Sequence, residues 1–129
     1  MPTLFTRIVA GEIPCHKLAE DDRCLAFLDI RPLNPGHALV IPKEEVDYIF
    51  DVDDELLQHM IVFAKRVARA IDAVVPCKRV GVIVAGLEVP HAHIHLVPIQ
   101  AIADLNFARA REMPQDELAA WAEKIRAAL

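Results

Sequence analysis

The chain has little that would tie it to a nucleic acid, a membrane or an oxidising compartment. It lacks an excess of positive charge: 14 Lys and Arg stand against 19 Asp and Glu, a formal net charge of −5. A polynucleotide surface needs a basic patch or stripe, so no nucleic-acid partner is expected. A small phosphorylated ligand stays open, because one local cluster of donors can hold phosphate on an acidic protein. The three cysteines, Cys15, Cys24 and Cys77, are odd in number and scattered, which is not a disulfide framework. No stretch approaches 18 apolar residues free of charge, so no membrane-spanning helix is expected. The opening MPTLFTRIVAGEIP has neither a long apolar run nor a cleavage pattern, and no secretory signal is expected. There is no low-complexity tract, long charge run or internal repeat. These absences predict a reduced, cytoplasmic protein without a membrane partner.

What is present suits one domain over residues 1–129, and hydrophobic residues at 54% supply a core without disulfides or a structural metal. Leu4, Phe5, Ile8 and Val9 predict a short helix over 3–10, ended by Gly11. Strands are predicted over KLAED, CLAFLDI, HALVIPK and RVGVIVA, and at the histidine segment that follows. The clearest periodic signal is a central helix through Leu56, Leu57, Met60, Ile61, Ala64, Val67, Ala68, Ile71 and Val74. Asp51 or Asp53 would cap it and Pro76 would end it. Residues 100–113 read as irregular. A last helix over about 114–128 has Pro114 at its first position and a stripe of Leu118, Trp121, Ala122, Ile125 and Leu129. Short links between strands favour antiparallel pairing, so the fold class is α+β, a sheet of about five strands packed with a central helix and terminal helices.

Three of six histidines fall at alternate positions of PHAHIHLVP. In a strand, side chains alternate faces, so His91, His93 and His95 share one face while Ala92, Ile94 and Leu96 take the other. The apolar set would face the core and leave three half-exposed imidazoles. Three readings are open. They are ordinary surface histidines. Or a His-x-His pair among them supplies two ligands to zinc or iron, with His37 or Glu88 as a further ligand. Or one is a nucleophile for phosphorus, with a neighbouring imidazole stabilising charge and protonating the leaving group. In that case Gly86 lets the backbone approach the phosphate.

HAHIHLV fits the His-x-His-x-His-x-x pattern, with x apolar, and resembles the signature of the histidine-triad (HIT) superfamily. The likeness extends to LFTRIVAGEIPCHKLAEDDRCLAFLDIRPLNPGHALVIPK, residues 4–43, which resembles the amino-terminal half of the small HIT nucleotide-binding hydrolases. AGLEVPHAHIHLVP, residues 85–98, is similar to the signature block of bacterial members. Two blocks in the family's order, within about 4–98, make the resemblance more specific than the histidine pattern alone.

The resemblance implies a HIT-like fold and residue roles. His93 is similar to the nucleophile that takes a nucleoside monophosphate onto its ring. His95 resembles the contact to phosphate and leaving group, His91 the support of the nucleophile's geometry, and His37 the fourth histidine beside the triad. Asp29 matches the carboxylate that binds the ribose hydroxyls. Phe5, Ile8, Ile13, Phe27 and Ile30 match an apolar cleft for the base, with Gly86, Glu88 and Val89 from the loop before the triad. His16 and His59 receive no role, and His59 is expected to be solvated. Three family positions differ. Leu87 stands where many relatives have Gln, Glu88 where eukaryotic-type members have Ser or Thr, and VGVIVAG has no Asn to hold phosphate. Thr3 and Thr6 stand where some relatives carry a zinc-binding Cys-x-x-Cys, so that metal is not expected. The implied activity is release of a nucleoside monophosphate, AMP or GMP, from a phosphoramidate or dinucleoside polyphosphate through a nucleotidyl-histidine. The partner is a purine nucleotide or conjugate, no cofactor is needed, and a homodimer is expected. The alternatives are a metal-dependent hydrolase on the same strand, or a nucleotide-binding regulatory module without turnover.

Overall fold

In the computed structural model, which describes residues 2–129, the first ordered element is helix α1, Leu4–Val9. Thr3 caps it, its hydroxyl accepting from Thr6 N–H, and its buried residue is Phe5. An N-cap hydroxyl satisfies a backbone donor that a helix cannot satisfy itself. Strands β1, Lys17–Glu20, and β2, Cys24–Leu28, form a hairpin; Asp21 turns it by accepting from Arg23 N–H and Cys24 N–H. Strand β3 is Ala38–Pro42, β4 is Arg79–Ile83 and β5 is Ile94–Ile99. All neighbours are antiparallel in the order β1-β2-β3-β5-β4, an α+β sheet of five strands.

The sheet is covered on both faces, which explains why β2, β3 and β5 are wholly apolar or wholly buried rather than alternating in exposure. On one face Ala26, Leu28, Ala38, Val40, Ile94 and Leu96 pack under helix α2, Asp54–Val74, and helix α3, Gln115–Ala127. On the other, Leu25, Phe27, Leu39 and Ile41 pack with Phe5 and, partly buried, Ile8 and Val89. Asp53 caps α2 by accepting from Leu56 N–H.

Several expected boundaries move. The helix expected over 3–10 is Leu4–Val9, and β2 stops at Leu28, before Asp29 and Ile30. Along α2, Phe63 is buried and Ile61 is about half exposed, so the buried stripe is rotated from the expected one. Pro114 precedes α3 as its N-cap rather than occupying its first turn, and Leu129 is exposed beyond its end. The 100–113 segment contains two 3₁₀ turns, Ile102–Asp104 and Phe107–Arg109.

Candidate active site

The histidine segment enters the sheet late. Only His95 lies in the β5 ladder, opposite Leu39 of β3 and Ile83 of β4; His91, in a bend, and His93 precede it. The alternation still holds, since Ala92, Ile94 and Leu96 point into the larger core. The expectation of half-exposed imidazoles is corrected: His91, His93 and His95 are 0%, 5% and 8% exposed. Interior position in the sheet and cover from α1 explain this. Phe5 presents its edge to both His91 and His93, with ring centroids 5.7 and 5.1 Å apart. Phe107, from the tail, lies 4.9 Å from His95.

Hydrogen-bond partners fix the protons on all four buried imidazoles. The carbonyl of Pro42 can only accept, so His91 Nε2 carries a proton and donates to it at 2.8 Å. His91 Nδ1 therefore accepts, from Thr3 Oγ1 at 2.8 Å. His93 Nδ1 donates to the His91 carbonyl at 2.7 Å, which leaves a lone pair on His93 Nε2. Leu33 N–H donates to His37 Nδ1 at 3.0 Å, so His37 Nε2 holds the proton and donates to His95 Nδ1 at 2.9 Å. His95 Nε2 is then a donor. No buried side-chain nitrogen or oxygen among the described residues lacks a partner. The two ring nitrogens left unpaired, a lone pair on His93 and an N–H on His95, are thus the ones that reach the cleft.

Burial reinforces the neutral state of His37, His91 and His95. Desolvation, then the charge of His95, pushes His37 down from 6.5 to about 3. Desolvation, then His93, pushes His95 down to about 4. Desolvation also lowers His91, against the Pro42 carbonyl and Glu45, which favour its protonated form. With His37 neutral, the 3.6 Å approach of Asp29 Oδ2 to its Nε2 is not an ion pair. Asp29 is itself raised, mainly by burial, although Arg31 N–H donates to its Oδ1.

The cleft beside these nitrogens measures about 330 Å³ and is mostly apolar, within the range of small-molecule sites. Phe5, Ile8, Ile13, Phe27, Asp29, Ile30, Glu88, Val89, His93 and His95 all line it. Gly86 does not. It faces a separate groove with Tyr48, Phe50 and Leu87 that meets the cleft only at His93. Its φ of +75° explains the glycine by the turn it makes. His91 and His37 lie behind the cleft, supporting its wall. Gly36, which sets the turn into His37, has φ +93°, and a Cβ there would stand 2.8 Å from Val75. A larger groove of about 520 Å³ between residues 32–35 and 108–117 contains no histidine.

Sequence reasoning missed Cys15 and Arg31 in the cleft, Phe107 against His95, and the Thr3 hydroxyl on His91. A Thr at a helix start was a visible capping signal; its second bond, to a residue 88 positions away, was not. His59 is corrected from solvated to half-buried, its Nε2 2.7 Å from Asp21 Oδ2. Among the described residues two groups come close enough to share an ion: Asp29, His37 and His95, and Asp21, Cys24 and His59. The first brings the expected further ligand His37 to one strand histidine rather than to a His-x-His pair, and in both groups the imidazoles already bond within the group.

An α+β protein whose covered sheet offers one imidazole lone pair and one imidazole N–H to an apolar cleft is the class that fold and site define. The chain belongs to the HIT family: the HIT domain model matches residues 10–102. Adenosine 5′-monophosphoramidase hnt1 of Schizosaccharomyces pombe is 40% identical over 103 residues, covering 76% of this chain and 74% of that one. A solved HIT-like protein of Bartonella henselae superposes with a TM-score of 0.88 at 32% identity, covering 98% of this chain and 96% of that one. A zinc-bound histidine triad family protein of Mycobacterium smegmatis gives 0.84 at 30% identity, covering 97% and 91%. Zinc does not fit the Thr3 and Thr6 positions of this chain. Neutral hydroxyls are poor substitutes for thiolates, and both are committed to His91, Glu45 and the helix cap.

Proposed function

We propose that this protein cleaves a nucleoside monophosphate, with AMP or GMP as the retained half, from a phosphoramidate, using His93 as nucleophile. The observation that carries the reading is the Nδ1–H bond from His93 to the His91 carbonyl, which leaves its Nε2 lone pair on the cleft. The base would lie between Phe5, Ile8, Ile13, Phe27 and Ile30, and Asp29 would accept from the ribose hydroxyls. His93 Nε2 attacks the α-phosphorus while the bond from phosphorus to the leaving nitrogen breaks. The leaving amine takes up a proton from solvent or from His95 Nε2–H as it departs, and the water that later attacks returns one. His95 Nε2–H donates to a phosphoryl oxygen or the leaving atom, where negative charge grows. Water then attacks the phosphorus, the bond to His93 Nε2 breaks, and the monophosphate leaves. The relative named as an adenosine 5′-monophosphoramidase supports the phosphoramidate as leading substrate, with dinucleoside polyphosphates second. Leu87 is 92% exposed and Glu88 adds an anion to the cleft rim, so phosphate contacts fall to the histidines and backbone.

The test is mass spectrometry of protein mixed with an adenosine phosphoramidate and quenched in base. A His93 peptide heavier by one adenylyl group is expected. No adduct and no product over hours would overturn the mechanism and favour a binding module. Loss of turnover in a chelator would favour metal-dependent hydrolysis.

A homodimer is proposed on the exposed apolar surface formed by Ile61 and Val62 of α2 with Val82 of the edge strand β4. Light scattering checks it: the wild type should run at twice the 14.4 kDa chain mass, and Val62→Glu should run as a monomer.

A further inference from the structure

Behind the cleft, His91 ends a chain of polar contacts that begins on an exposed carboxylate. Glu45, in the loop after β3, accepts from Thr6 Oγ1 at 2.5 Å and from Thr3 N–H at 3.0 Å. Thr3 Oγ1 accepts from Thr6 N–H at 3.0 Å and spends its one proton on His91 Nδ1 at 2.8 Å. His91 Nε2–H donates to Pro42 of β3, and the His91 carbonyl takes the His93 Nδ1 proton. The directions are set at the fixed ends, and at Thr3 Oγ1, which also lies 3.1 Å from Thr6 Oγ1, by the shorter contact to His91. A carbonyl and a carboxylate only accept, backbone N–H only donates, and the hydroxyls fill the remaining sense. The chain joins three parts of the sequence: the start of α1, the loop after β3 and the segment entering β5, which also meet through Ala92 N–H on the Val46 carbonyl and through Phe5 on His91.

We propose that Thr3, Thr6 and Glu45 are positioning residues that hold His91 in its Nε2–H tautomer and so aim the carbonyl that orients His93. The inference deepens the proposed nucleotidyl transfer and depends on it only for the kinetic readout. Two features separate a positioning role from plain packing. Thr3 is 7% exposed and its hydroxyl faces a ring nitrogen, so an isosteric apolar side chain would keep the shape and lose the proton. The same helix carries Phe5, whose ring edge meets both His91 and His93. The latch therefore ties the helix that contributes to the cleft to the segment that carries the nucleophile. A His91 Nδ1 without its donor is free to protonate or to turn, and either change moves the carbonyl. The titratable groups facing His91 are Glu45 across the latch and His93 on its own segment.

The experiment compares Thr3→Val, Thr3→Ser, Thr6→Val and Glu45→Gln in the full chain. The readouts are hydrolysis of adenosine 5′-phosphoramidate and ¹⁵N NMR of the histidine rings. Thr3→Val should lower kcat about tenfold or more with KM within about twofold, as expected when a reacting group is misaimed rather than a ligand lost. Its His91 and His93 ring ¹⁵N shifts should leave the wild-type tautomer pattern. Thr3→Ser, which keeps the hydroxyl, should restore both kcat and the pattern. Thr6→Val and Glu45→Gln should give smaller changes of the same kind, and they carry the test if Thr3→Val does not fold. The proposal is overturned if Thr3→Val keeps wild-type kcat and ring shifts. It is equally overturned if kcat and KM fall together with unchanged tautomers, or if Thr3→Ser behaves like Thr3→Val. Wild-type protein that holds stoichiometric zinc, lost in Glu45→Gln, would also overturn it. If the wild type does not hydrolyse the phosphoramidate, the functional reading fails alone, and the ring shifts still decide the latch.

Discussion

His91 and His95 stand two residues to either side of His93, share its face, and are held by different chemistry. The His91 arm runs outward through hydroxyls to the exposed Glu45. It is built from ordinary surface-type residues drawn inward by a helix cap. The His95 arm runs inward, to the buried His37 and the backbone N–H of Leu33. One arm ends on a lone acceptor that steadies His93 from behind. The other ends on an N–H that faces the cleft. His91 and His95 thus share the Nε2–H tautomer through unlike partners, while His93 between them carries its proton on Nδ1, because each ring takes its tautomer from its partner.

Removing what both arms converge on should have the largest effect. His93→Ala is expected to lower kcat on the order of 10³-fold or more while the nucleotide still binds, which turnover and calorimetric titration together would check. An adduct still forming in this variant would place the nucleophile elsewhere.

Breaking the inner arm comes next. His37→Leu strips His95 Nδ1 of its donor and Leu33 N–H of its acceptor, leaving two buried polar groups unpaired. At roughly 1–3 kcal/mol for each orphaned group, urea unfolding should show a loss of about 2–6 kcal/mol. An unchanged midpoint would mean that the pair contributes nothing to the fold.

Acid probes the inner arm without mutation. His37 and His95 are neutral in the folded state down to about 3 and about 4, against 6.5 when unfolded. Below pH 6.5 the unfolded chain binds protons that the folded one does not, so stability is full above that value and falls as pH drops towards 4. The expected slope is about 1 kcal/mol per pH unit for each histidine, read from urea midpoints between pH 7 and pH 4.5. His37→Leu should flatten it by about half. A midpoint independent of pH in this window would contradict the neutral pair.

The smallest effect is expected at Phe107, which covers His95 from the tail but is itself more than a third exposed. Phe107→Ala should cost less than about 1 kcal/mol of stability, as partly exposed residues do, and change kcat by no more than a few-fold. A large loss of kcat would make the tail part of the cleft wall.

The sequence carried local periodicity well. The face shared by the three histidines, the Asp53 cap and the long central helix all depend on residues near one another in the chain. Asp29 and His37 were legible through the resemblance of residues 4–43, and both lie beside the triad in space. What was not legible depends on pairing across the chain. Burial of His95 follows from β5 lying between β3 and β4, and burial of His91 and His93 from the cover of α1, neither of which a window of nine residues reveals. Gly86 was expected at the ligand, yet its loop turns it into the neighbouring groove, where only His93 is shared.

By itself, then, the sequence determined which side chains share a surface, because a strand alternates every two residues whatever surrounds it. Only the tertiary structure decided which nitrogen of each imidazole carries a proton. A tautomer is set by the nearest donor or acceptor, and here these come from Thr3, Pro42, His37 and Leu33, brought to the triad by sheet order and by the packing of α1.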